Sequence, residues 1–136
     1  MAKELDANTD GFIDTDLLGL FSNYKEVIYN VAATGSTETI DLANGNVQRF
    51  AMDQACEFTL PTLPATAGQT ASFTQIIEPT AFAMTWAASP PVKWMTSDKL
   101  GPATVAANLV VVVTFVADTY EGTPRWLGFV GGREVA

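Results

Sequence analysis

The sequence predicts an all-β fold: an antiparallel β-sandwich, jelly-roll-like, preceded by a short N-terminal loop–helix arm. Three observations predict it. From Lys25 onward apolar and polar residues alternate with period two, the repeat of a half-buried strand. Turn residues arrive roughly every eight to twelve positions, the spacing of sandwiches and barrels. Finally Pro61, Pro64, Pro79, Pro90, Pro91, Pro102 and Pro124 all fall between candidate strands, where a missing N–H removes no ladder bond.

Residues 1–30 form the arm and 31–136 the sandwich domain. In the arm, acids concentrate between Asp6 and Asp16. Leu17, Leu18, Leu20 and Phe21 then suit one face of a short helix, which Asp14 or Thr15 would cap by accepting from its free amides. Candidate strands run over 26–32, which spans the join, and then 37–43, 46–54, 56–60, 71–78, 83–87, 109–117 and 125–130. Between the second and third, Asn44 and Gly45 predict a hairpin with a type I′ turn, because both tolerate positive φ. The run Leu109, Val110, Val111, Val112, Val113 does not alternate. One reading buries its outer face against the N-terminal helix or a neighbouring subunit; the other makes it a central strand buried within one chain. No internal repeat is visible.

Charged residues make up 16% of the chain, against about 25% in an ordinary soluble domain. Charge is thus scarce where water should be, which is expected if a partner covers part of the surface. A net charge of −8, with seven scattered Lys and Arg, argues against binding to a phosphate backbone. No stretch approaches the roughly eighteen apolar residues of a membrane helix, and no secretion signal is legible. The chain is therefore expected to be made and used as a soluble protein, with no membrane partner. The single cysteine, Cys56, has no intrachain partner and reads as a thiol within a strand.

Catalysis has little to stand on. The chain contains no histidine, which removes the commonest general base, every Ser-His-Asp or Cys-His arrangement and histidine-ligated zinc. A carboxylate pair drawn from Glu57, Glu78, Asp98, Asp118 and Glu121 is conceivable for sugar hydrolysis. Solvated strand ends are the simpler account of these residues, and the protein is read as not an enzyme.

The sharpest local motif is Asp6-x-Asn8-x-Asp10-Gly11-Phe12-Ile13-Asp14. It follows the first nine positions of an EF-hand calcium loop, with side-chain oxygens from Asp6, Asn8, Asp10 and Asp14 and the main-chain carbonyl of Phe12. Position twelve is Leu17, where a bidentate Glu belongs, and Asp16 stands one place early. Two readings stay open: a calcium site completed from elsewhere, or an acidic loop held by Asx turns. The second is favoured, and no other cofactor is implied. Trp86, Trp94 and Trp126, with Phe50, Phe58, Phe73, Phe115 and Phe129, could offer a sugar-stacking platform, but core and interface anchors are the commoner use of such residues. Leu17, Leu20, Phe21, Leu109, Val111, Val113 and Trp126 are the candidate interface residues.

A further signal lies in the order of the strand pieces. ETIDLANGNVQRF (38–50) is followed by CEFTLP (56–61), by Gly68 and Gln69 leading into FTQII (73–77), by Thr85 and Trp86 with VKW (92–94), by VVTFV (112–116) and by RWLGFV (125–130). Together these resemble a module of tail-fibre and other virion surface proteins of tailed bacteriophages, over roughly the last two thirds of the chain. The resemblance implies a small β-sandwich assembling as a homotrimer, located in the virion, with no cofactor and no catalytic residue. The chain lacks the shaft repeats of long tail fibres. The expectation is therefore a capsid decoration or cement protein that binds the major capsid protein, the alternative being a tail-fibre or tail-adaptor piece that binds a host receptor or glycan.

Overall fold

The computed structural model describes residues 26–78, 82–99, 101–102, 110–120 and 122–133, for 132 and 133 the backbone only. Residues 1–25 of the arm lie outside the described residues. Within them the chain forms β1 (Tyr29–Val31), β2 (Thr37–Thr39), β3 (Val47–Ala51), β4 (Cys56–Thr59), β5 (Ser72–Glu78), β6 (Met84–Trp86), β7 (Val92–Trp94), β8 (Val111–Asp118) and β9 (Arg125–Arg133). A 3-10 turn, Leu42–Asn44, separates β2 from β3.

The strands make two sheets. The larger has the order β1-β3-β5-β8-β9-β7 and the smaller β2-β4-β6. From β1 to β7 the chain therefore crosses from one sheet to the other at every step. Because two crossings return it in the same direction, β1, β3 and β5 are parallel neighbours, and so are β2, β4 and β6. Equivalent residues stack in register: Tyr29 beside Gln48 and Gln48 beside Gln75 in one sheet, Glu38 beside Phe58 and Phe58 beside Trp86 in the other. This is a short two-sheeted coil, a structural repeat with no repeat of sequence. The β8–β9 antiparallel pair then fits between β5 and β7, with β8 antiparallel to β5 and β7 parallel to β9.

The all-β class holds, but the antiparallel jelly-roll is replaced by a mixed larger sheet and a wholly parallel smaller one. Strand periodicity is the same in both arrangements; only the connections decide between them. The Asn44-Gly45 hairpin is also corrected, since β2 and β3 belong to different sheets. Gly45, at φ 112°, instead closes the 3-10 turn by donating its N–H to Leu42 O, and the Asp41 carboxylate caps the turn at Ala43 N, 2.9 Å away. β7 lay hidden behind Pro90 and Pro91, the first of which follows a cis peptide bond.

One core lies between the sheets, built from Phe50, Ile77, Phe73, Phe115, Val111, Val113 and Trp126 of the larger and Cys56, Phe58 and Met84 of the smaller. Phe50 meets Phe58 edge-on across the gap at 5.3 Å between ring centroids. Several polar atoms that enter this core find partners, while Gln75 Nε2 is buried without one. Trp126 Nε1 donates to Pro61 O at 3.0 Å, and Trp86 Nε1 to Gln75 Oε1 at 3.1 Å. The buried Gln48 donates from Nε2 to Asp41 O and Gly45 O, at 2.7 and 2.8 Å, tying the 3-10 turn to β3.

Candidate interaction surface

The two sheets turn very different faces outward. Alternation sends Thr37, Thr39, Glu57, Thr59 and Thr85 to the outside of the smaller sheet, a polar surface. On the larger sheet the outward row across β3, β5, β8 and β9 is Val47, Thr74, Thr114 and Phe129. Beside it run Ile76 with Val112, and Val116 with Leu127. These side chains are half-buried, and Phe129 is exposed, while the residues between them are fully enclosed. The two threonines at the centre satisfy each other, Oγ1 to Oγ1 at 3.1 Å. Among the described side chains charge stands at the margin: Arg49 pairs with Glu78 and also donates to Asn30 Oδ1, Arg125 pairs with Asp118 at 3.0 Å, and Lys93 stands beside Leu127. An apolar centre with a polar rim is the anatomy of a protein–protein contact.

This arrangement corrects part of the expected interface. Val111, Val113 and Trp126 have no exposed surface and belong to the chain's own core. A run of consecutive valines carries no phase: on these strands Val112, Val116, Leu127 and Phe129 are the ones that look outward. Leu17, Leu20, Phe21 and Leu109 lie outside the described residues, as do Asp6, Asn8, Asp10, Phe12 and Asp14 of the candidate calcium loop. Among the described residues no three His, Cys, Asp or Glu side chains group so as to hold a metal. Of the scattered carboxylates, Glu57 lies outside the smaller sheet, whereas Glu78 and Asp118 are each held by an arginine on the other.

A second feature lies at the far edge of the larger sheet. Val92, Lys93, Trp94, Met95, Thr96 and Lys99 line an open groove of about 460 Å³. Trp94 is half-buried, its ring edge-on to Trp86 at 4.8 Å and to Phe115 at 5.7 Å. Lys99, at φ 59°, holds the left-handed backbone conformation uncommon for a side chain of its size. Cys56 is buried, and burial pushes its thiol pKa up, with Glu38, Asp53 and Glu57 adding to the effect against a lowering hydrogen bond from Thr34. A thiol of this kind is inert. No helix among the described residues is long and apolar enough to cross a membrane. No protein-family model, curated protein or solved structure matches this chain.

Proposed function

We propose that this protein is a non-enzymatic structural component of a tailed-bacteriophage particle, a capsid decoration protein that assembles in threes and grips the shell through protein–protein contacts. The observation that carries this reading is the apolar outer face of the larger sheet, set against the polar outer face of the smaller one. Apolar area removed from water stabilises a contact by about 25 cal/mol per Å², less the cost of association. Its margin of paired charges suits a wet rim. The order of the strand pieces from 38 to 130 supplies the phage context, and the absence of histidine from the sequence is in keeping with a binding role.

The test is to replace Val112 and Leu127 together by Lys. Both look outward, so the fold should survive while particles assembled with the variant lose the protein on purification and lose resistance to heat. Particles that lack the protein yet withstand heat as the wild type does, and fail only in adsorption, would sink the decoration reading. The Trp94 groove, with Lys93 and Lys99 on its rim, favours the second reading, a tail component that binds a host glycan. Copy number separates the two: many copies spread over the shell against a few at the tail.

A further inference from the structure

The larger sheet ends at β1 on one side and at β7 on the other. The β7 end carries the groove of Val92, Lys93, Trp94, Met95, Thr96 and Lys99, whose charge is of one sign. Lys93 and Lys99 are both exposed, and among the described residues neither is paired with a carboxylate, whereas Arg49 and Arg125 each are. Asp98, beside Lys99 in the chain, does not line the groove. Two unpaired ammonium groups next to a tryptophan and a methionine, on a chain of net charge −8, suit an occupant that is both acidic and apolar. The β1 end is where residues 1–25 join the sheet. From 6 to 16 their sequence carries four aspartates, Asp6, Asp10, Asp14 and Asp16, with Phe12 and Ile13 among them and no lysine or arginine.

We propose that segment 6–16 of one copy docks in the Lys93 and Lys99 groove of the next, the contact that joins copies head to tail. The inference rests on the reading of this protein as an assembly of three, and it names the surface that makes the assembly. Charge favours it, because aspartates meet the two unpaired lysines while Phe12 and Ile13 meet Trp94 and Met95. Length permits it. Ten residue steps separate Asp16 from Glu26, at most about 33–36 Å of extended chain. Placement favours a neighbour over the chain's own groove. Within one chain the segment would have to cross all six strands of the larger sheet, about 24 Å over the apolar face proposed for the shell. An arm arriving from the next copy has no such crossing to make. Complementary surfaces on opposite edges are heterologous, and a heterologous contact whose rotation closes gives a ring. Each contact is small, and the three in a closed ring reinforce one another.

The test uses the full chain in sedimentation equilibrium over a concentration series. Wild type should reach the mass of a trimer. Lys93→Glu with Lys99→Glu, both at exposed positions, should weaken that association roughly tenfold or more. Should this variant fail to fold, Asp10→Lys with Asp14→Lys reverses the other side of the contact and should weaken it likewise. A chain carrying all four substitutions should regain the trimer, since its charges are exchanged rather than lost. Asp10→Cys with Lys93→Cys should link separate chains on mild oxidation, because buried Cys56 does not compete. A trimer that both charge reversals leave intact would refute the docking site and leave the proposed function standing. A four-fold variant that stays dissociated, or a cross-link formed within one chain, would also overturn it. A wild type that is monomeric at every concentration would remove the docking and the assembly of three together. The Val112 and Leu127 substitutions should leave the trimer whole and loosen only its hold on the particle.

Discussion

Trp94 sits against two glycines that leave it just enough room. A Cβ added to Gly128 would lie 2.7 Å from Cε3 and Cζ3 of its ring, and one added to Gly101 would lie 2.7 Å from Cε2. Gly128→Ala should therefore push the indole off Phe115 and Trp86 and destabilise the fold by about 1–3 kcal/mol. Equilibrium unfolding would measure the loss, and the near-ultraviolet circular dichroism of the Trp86–Trp94 pair should weaken with it; an unchanged spectrum would contradict the packing. Glu38 is a second informative residue. It stands on the core-facing row beside Phe58, and burial raises its pKa above the ordinary 4.5. The folded state thus disfavours its charged form. Stability should be greater at low pH, where the carboxyl is protonated in both states, and should fall as pH rises from 4.5 through the raised folded value. Glu38→Gln should flatten that dependence and raise the melting temperature at neutral pH. Cys56 should resist thiol reagents at neutral pH until the protein unfolds.

At the scale of elements, the crossings between sheets carry the fold. The passage from β2 to β3 depends on Gly45, whose φ of 112° and ψ of 166° lie in a region open in practice only to glycine. Its carbonyl also receives Nε2 of Gln48. Gly45→Ala should cost about 1–3 kcal/mol through the backbone alone, since the nearest atom to the added Cβ, Val27 O, is a comfortable 3.7 Å away. Denaturant titration would show the midpoint shift with unchanged slope. A loss much smaller than this would mean that the turn can refold into another shape. β9 makes a different demand, because Trp126 is fully enclosed and bonded to Pro61 O, far away in sequence. Trp126→Ala should remove about 3–5 kcal/mol.

Across the whole molecule the dominant feature is asymmetry between two surfaces. The smaller sheet faces outward with threonine and glutamate, the larger with valine, isoleucine, leucine and phenylalanine around the Thr74–Thr114 pair. Paired charges stand at the margin of that apolar face, Arg49 with Glu78 and Arg125 with Asp118. Such a surface should bind an apolar dye such as anilinonaphthalene sulfonate in the isolated protein. Lysine at Val112 and Leu127 should abolish the fluorescence gain without altering the far-ultraviolet spectrum. Dye binding that persists would place the apolar surface elsewhere.

Strand positions were legible in the sequence because alternation and turn residues are local properties. Each candidate strand from 26–32 to 125–130 overlaps an observed one, though β8 and β9 run on past the ends expected for them, and the enclosure of Phe50, Phe58, Phe73 and Phe115 follows from the same alternation. β7 entered only as the piece VKW in the resemblance and not as a candidate strand, because three residues behind two prolines carry too little alternation. The direction of pairing, the phase of the valine run and the identity of the open edges were decided only by the tertiary structure. Each depends on which sheet the chain enters next, and a strand's side-chain period is the same whether its neighbour runs with it or against it.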